Sequence, residues 1–188
     1  MTLPLEDKVW TYEDYRELPD DGIRYEVIEG RLYLTPAPTP YHQTLSRRLQ
    51  FVFYQLELEG KGQIYDAPVD VLMEGATPVQ PDLVYLRADQ ASLVTRRGIE
   101  GVPELLVEIL SPSTATRDRT LKLNRYARCG VRRYGVLDPA SRTFELLRLD
   151  GETYRLEAAL GPHDVFDLSD YGVTIDMNAL FQGLPDDL

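Results

Sequence analysis

The sequence contains one cysteine, Cys129, so no intramolecular disulfide can form. A reduced, intracellular setting is the expectation. No apolar stretch reaches the length of a membrane-spanning helix, about eighteen residues. The opening MTLPLEDKVW carries neither the basic nor the apolar segment of a secretory leader. A soluble, cytoplasmic protein with no membrane partner is expected. Positive charge is scarce as well: 20 Lys and Arg stand against 31 Asp and Glu, for a net charge of −11. That excludes a protein that coats DNA by general attraction. Repeats and low-complexity segments are absent. With 188 residues and 43% apolar content, the chain can build a core without covalent staples, and one domain spanning 1–188 is expected.

The scarce positive charge is concentrated. Residues 111–134 hold seven basic side chains (Arg117, Arg119, Lys122, Arg125, Arg128, Arg132 and Arg133) and one acid, Asp118. Residues 144–188 hold ten acids and two arginines. A basic run of this kind is either a solvated helix face or a local surface for a polyanion. In the second case Arg117, Arg119 and Arg125 are the candidate nucleic-acid contacts.

Periodicity sets the elements. Thr11 introduces a short helix over 10–18. RYEVIEGRLYLT reads as a hairpin with Glu29-Gly30 at its turn. Leu45, Leu49, Phe53 (or Val52) and Leu56 fall at helical spacing within 41–59, and Gly60 and Gly62 close that helix. QIYDAPVDVLM is a strand interrupted by Pro68, GATP is a turn, and VQPDLVYLR is the next strand. Residues 88–102 form a surface connection with room for a helical turn. PELLVEIL is a strand buried on both faces. RDRTLKLNRYARCG is an amphipathic helix with Leu123, Tyr126 and Ala127 inward, and RRYGVLD is a further strand. RTFELLRLDGETYRLE is a second hairpin with Asp150-Gly151 at its turn. The tail after Gly161 is read as irregular structure with one short helix near 177–182. The divisions are therefore an N-terminal helix and hairpin (1–40), a core (41–139), and a C-terminal hairpin and acidic tail (140–188). The core order helix, strand, strand, strand, helix, strand predicts an α/β fold: a mixed central sheet flanked by helices, with added β-hairpins at both ends.

One residue in PELLVEIL does not fit a buried strand. Glu108 sits among large aliphatics, where a carboxylate is neutralised by an arginine, placed at an edge where it reaches water, or held by a divalent cation. A metal site needs a second oxygen ligand. Asp82 in VQPDLVYL repeats the arrangement, an acid at the head of an apolar strand directly after proline. Such an aspartate is also a common strand-start residue. Cys129 has no histidine or cysteine near it in sequence and is read as packing.

The proline-aspartate of VQPDLVYL followed by the glutamate of PELLVEILSPST resembles the active-site pattern of the PD-(D/E)xK nuclease superfamily, the restriction-endonuclease-like fold. More closely, the chain resembles a widespread bacterial family of restriction-endonuclease-like proteins, long labelled a domain of unknown function. RYEVIEGRL, the histidine of PTPYHQTLSRRL, VQPDLVYL, GVPELLVEILSPST, RTLKLNRYARCGV and RRYGVLDP carry the likeness across 24–139.

The resemblance implies metal-assisted phosphodiester hydrolysis, with Asp82 and Glu108 binding Mg²⁺ (or Mn²⁺) and a lysine assisting the attacking water. The superfamily places that lysine two residues after the glutamate, where this chain has Leu110. Leucine can neither carry charge nor donate a hydrogen bond. The family match moves the role to Lys122 on the next helix, whose stem can run along the inner face toward the strand end. Glu26 matches the family's hairpin glutamate as a supporting metal ligand, His42 opens the first long helix, and Asp70 is an additional ligand candidate.

The expected function is thus a metal-dependent endonuclease acting on DNA, with a homodimer among the assemblies implied. Two alternatives stand beside it. One is a catalytically silent nuclease-fold binding module, which the missing strand lysine and the acidic charge favour. The other is a metal hydrolase acting on RNA or small phosphoesters.

Overall fold

The computed structural model describes residues 8–19, 21–73 and 78–185. The turn expected at GATP lies largely outside them. Thr11 caps helix α1 (Tyr12–Arg16) in a capping box with Asp14. Strands β1 (Arg24–Ile28) and β2 (Arg31–Thr35) form the expected hairpin, with Glu29 and Gly30 both at positive φ (51° and 73°) as a tight primed turn requires. Helix α2 (Pro40–Leu58) starts at Thr39, whose hydroxyl accepts the His42 N–H, and Pro40 occupies its first turn. It buries Leu45, Leu49, Phe53 and Leu56 as one stripe.

Strand β3 (Gly62–Asp66) leads to β4 (Val71–Leu72), and β5 (Leu83–Arg87) follows. After a 3₁₀ turn come β6 (Val94–Thr95), β7 (Gly98–Glu100) and β8 (Leu105–Ile109). The next helical segment runs as α3 (Ala115–Arg117), a π turn (Asp118–Lys122) and α4 (Leu123–Cys129). Gly130, at φ 86°, closes it in the left-handed conformation that glycine adopts most easily. Strands β9 (Arg133–Asp138), β10 (Thr143–Asp150), β11 (Thr153–Leu160), β12 (Val165–Leu168) and β13 (Val173–Asp176) lead to α5 (Met177–Phe181).

Six strands form the central mixed sheet in the order β11-β10-β9-β8-β5-β3, in which only the β8–β9 pair is parallel. That parallel pair is joined by the α3–α4 segment, the crossover such a connection needs. Alternation along the strands divides the core. Leu83, Tyr85, Leu105, Val107 and Ile109 pack with α2 on one face. Val84, Leu86, Leu106, Leu110, Tyr126, Tyr134 and Val136 pack on the other. PELLVEIL is apolar because β8 is covered on both sides.

Three expectations change. The strand read through 63–73 is two strands in different sheets, because Pro68 has no N–H to continue the ladder. The connection over 88–102 holds β6 and β7, which join β4 in a small three-stranded sheet. The C-terminal tail is ordered as the β12–β13 hairpin before its helix, with Leu168, Val173 and Ile175 buried in the α2-side core. Among the described residues no helix is long and apolar enough to cross a membrane.

Candidate active site

Glu108 lies near the end of β8, where α4 covers its face of the sheet. Leu83 pairs with Val107 between β5 and β8, so extending the antiparallel register by one residue sets Asp82 opposite Glu108. Asp82 Oδ2 accepts the Ile109 N–H at 2.8 Å, which ties the carboxylate to the residue beside Glu108. Its remaining contacts are cationic: His42 Nε2 at 3.3 Å from Oδ2 and Arg24 Nη1 at 3.4 Å from Oδ1. Arg24 is itself pinned by donating to the Gln80 carbonyl at 2.7 Å. His42 Nε2 also lies 3.2 Å from the Ile109 carbonyl. With two acceptors facing it, Nε2 is the proton-bearing nitrogen and has no lone pair to offer a metal.

Lys122 reaches Glu108. Its Nζ lies 2.8 Å from Glu108 Oε1 and 2.8 Å from Glu26 Oε1, with Asp118 Oδ1 at 3.6 Å. The Tyr126 hydroxyl donates to the same Glu108 oxygen at 2.8 Å. On the helical segment Asp118, Lys122, Arg125 and Tyr126 share the inward face, and the π turn carries its first two members. Glu26 projects from β1 into this group. It accepts the Gln80 N–H at 3.0 Å and pairs with Arg117 at 3.2 Å.

These ionisable groups are nearly inaccessible: Glu26, Glu108, Asp118 and Lys122 are each 3% exposed or less. Burying each ion costs several kcal/mol, and well-packed apolar side chains of similar volume are often about 1–4 kcal/mol more stable than such a cluster. Stability alone does not account for it. Perturbed charges concentrated at one strand end are typical of functional sites.

The proton affinities follow from this geometry. Burial pushes Glu108 up to about 8, with Asp118, Asp82 and Glu26 adding to the rise against the pull of Lys122. Burial also raises Asp118. Burial opposes the charge on Lys122, but Glu108, Glu26 and Asp118 outweigh it and raise its affinity. Glu26 and Asp82 are both lowered despite burial, Glu26 by Lys122 and Arg117, Asp82 by His42 and Arg24. His42 is raised, Asp82 overcoming the effect of its burial.

Among the described residues no three His, Cys, Asp or Glu side chains converge as a closed metal cage. Mg²⁺ does not demand one: it is commonly held by one or two carboxylates, with waters and substrate oxygens completing the shell. Asp82 and Glu108, opposed across β5 and β8, supply such a pair of hard oxygens. Four carboxylates (Glu26, Asp82, Glu108, Asp118) face Lys122, Arg117, Arg24 and the ionisable His42, and Asp118 Oδ1 is buried without a hydrogen bond. Asp82 and Glu108 are the hard-oxygen pair that would hold a divalent cation, in exchange for part of their present contacts with His42, Arg24, Lys122 and Tyr126.

The other expected residues separate. Asp70 accepts from the Tyr15 hydroxyl at 2.7 Å and from Gln80 Nε2 at 2.9 Å, so it reaches Glu26 only through Gln80. The basic run is only partly a solvated face: Lys122, Arg125 and Arg133 are buried, while Arg119, Arg128 and Arg132 are exposed. Arg117 is bound to Glu26, Arg125 is buried and donates to the Val27 carbonyl at 2.8 Å, and Arg119 bridges Glu145 and Asp138. Each of those three guanidiniums has a partner within the chain. Sequence reasoning missed Arg24, Asp118 and Tyr126. For Asp118 a signal existed: it is the one acid in the basic run, four residues before Lys122.

A mixed sheet with two acids at facing strand positions and a lysine entering from the crossover helix defines a restriction-endonuclease-like protein. The Uma2 family model, described as "Putative restriction endonuclease", matches residues 12–178, and the chain belongs to that family. No curated protein matches the chain. Among solved structures it is similar to the crystal structure of "a putative nuclease belonging to DUF820" from Anabaena variabilis ATCC 29413. The TM-score is 0.76 at 17% identity, covering 92% of this chain and 97% of that one. At that identity the likeness establishes the fold.

Proposed function

We propose that the protein is a divalent-metal-dependent endonuclease that hydrolyses phosphodiester bonds of DNA at Asp82 and Glu108. One observation carries this reading: Asp82 stands opposite Glu108 in the strand register while Lys122 Nζ contacts Glu108 at 2.8 Å. Asp82 and Glu108 would hold Mg²⁺ or Mn²⁺ as hard-oxygen ligands. Bound there, the ion supplies Lewis-acid stabilisation of the phosphate and acidifies the attacking water.

The chain's own residues do the rest. The Ile109 N–H, Arg24 and His42 fix the Asp82 carboxylate in its ionised form. Tyr126 and Lys122 orient Glu108 by donating to one oxygen, Oε1, which leaves Oε2 to act. Glu26, held ionised, together with Glu108 and Asp118 keeps the proton on Lys122, so it serves as a fixed cation and donor. Two of its three N–H groups are taken by Glu26 and Glu108, and the third remains for the attacking water or a phosphate oxygen.

The burial of Lys122, 2% exposed, favours a second reading, in which the fold is a binding module whose internal ion cluster is structural. Supercoiled plasmid incubated with Mg²⁺ or Mn²⁺ decides between them. The nuclease reading predicts nicking by the wild type and a loss of about 100-fold or more in Glu108→Ala. Equal cleavage by both proteins, or none by the wild type, overturns it.

A further inference from the structure

Asp82 lines an open cleft of ≈ 280 Å³, one wall of which is α2. Gln43, Ser46, Arg47 and Gln50 line that wall. Their spacing of i, i+3, i+4 and i+7 places them on one helix face. At 1.5 Å per residue the row is about 10 Å long, enough for roughly three nucleotides of one strand at about 3.4 Å of axial rise each.

The tandem arginines of LSRRL look equivalent in sequence, yet the fold separates them. Arg48 turns inward and donates to the Leu180 carbonyl at 2.7 Å. Arg47 is exposed, lines the cleft, and makes no hydrogen bond or ion pair among the described residues. The other charged groups lining the cleft have partners. Arg24 and His42 engage Asp82, and Asp66 accepts from Gln50 Nε2 at 3.1 Å. The free positive charge lining the cleft is therefore the guanidinium of Arg47, with the exposed Asp66 carboxylate beside Gln50 at the end of the row, in a protein whose net charge of −11 repels polyanions elsewhere.

We infer that the α2 wall is the track for the substrate strand, with Arg47 binding a backbone phosphate beside the one that reaches Asp82. This rests on the nuclease reading for the identity of the strand, but it concerns positioning, which is measurable without cleavage. Gln43, Ser46 and Gln50 supply neutral hydrogen bonds along the same line, suited to phosphate and sugar oxygens and indifferent to base sequence.

The test is fluorescence anisotropy with fluorescein-labelled oligonucleotides, single-stranded and duplex, in EDTA, over about 50–200 mM salt. Arg47→Ala should weaken binding about tenfold and reduce the salt slope by about 1. Arg96→Ala removes an exposed positive charge outside the cleft and should leave the slope unchanged. In parallel cleavage with Mg²⁺, Arg47→Ala should raise KM about tenfold and keep kcat within about twofold. If the wild type cleaves while Arg47→Ala keeps its affinity, slope and KM, this inference falls and the nuclease reading stands. If oligonucleotides bind with an Arg47-dependent slope but are never cut, the inference stands and the nuclease reading falls. Absence of binding in the wild type overturns the inference whatever the cleavage result.

Discussion

Lys122 and Glu108, fourteen residues apart in the chain, meet at 2.8 Å inside the fold. Leu110, at the position where the superfamily pattern places its lysine, packs instead against the core that contains Leu106 and Tyr134. The crossover helix thus delivers to the strand end the charge that the strand itself omits. Since Lys122 is held by three carboxylates, neutralising it should cost far more than removing a surface lysine. Lys122→Met is expected to destabilise the protein by about 3–5 kcal/mol in urea denaturation near pH 7. Lys122→Met/Glu108→Gln should recover part of that loss. A loss under about 1 kcal/mol for the single variant would contradict the buried cluster.

Stability should also report the proton on Glu108, whose affinity is raised from 4.5 to about 8. Between those values the folded protein keeps a proton that the unfolded chain has released. Stability therefore falls as pH rises through that window and levels off above it. His42, whose affinity is raised above 6.5, adds a fall in the same direction as pH passes through its folded value. Thermal melts in EDTA should show a wild-type Tm that drops by several degrees from about pH 5 to about pH 8. Glu108→Gln should keep only the smaller fall that His42 and Asp118 contribute. A flat wild-type profile would refute the raised affinity.

Asp82 and His42 are linked in a way that NMR can read, because the chain has only two histidines. In the wild type His42 should titrate above the ordinary histidine value, since Asp82 outweighs its burial. Asp82→Asn keeps an oxygen for the Ile109 N–H but removes the charge. The His42 titration should then move down, because burial and Arg24 oppose its charge and the Ile109 carbonyl is left to support the proton. An unchanged titration would remove Asp82 as the partner.

Two neighbouring arginines should behave differently. The Arg117 side chain is 10% exposed and pairs with buried Glu26, whereas Arg119 is 38% exposed and pairs with Glu145. Arg117→Ala is expected to cost about 2 kcal/mol. Arg119→Ala should cost under about 1 kcal/mol. Equal losses would mean that Glu26 does not depend on Arg117.

Why some of this was legible in sequence and some was not follows from the physics of each element. Asp82 and Glu108 stood out because β5 and β8 are buried on both faces, so an acid interrupts an otherwise apolar run. Lys122 was found by family resemblance, since a lysine at the border of an amphipathic stripe looks solvated until its partners are known. Asp118, Arg24 and Tyr126 were missed for the same reason: their roles depend on a π turn, a hairpin and a strand end meeting in three dimensions. The expected core order was correct because helical and strand periodicities there are long and clean. Residues 165–176 were misread because two four-residue strands carry little periodic signal, and their pairing is decided by packing of Leu168, Val173 and Ile175 against α2-side residues. Likewise 63–73 gave one apparent strand because sequence cannot tell which sheet each side of Pro68 joins.

The central claim is that Asp82 and Glu108 form one divalent-cation site. Calorimetric titration with Mn²⁺ tests it most directly, using the wild type, Asp82→Ala and Glu108→Gln, each shown to be folded. The account predicts saturable binding of one ion per chain in the wild type and its loss in both variants. Retention of that binding in either variant, or its absence from the wild type, would contradict it.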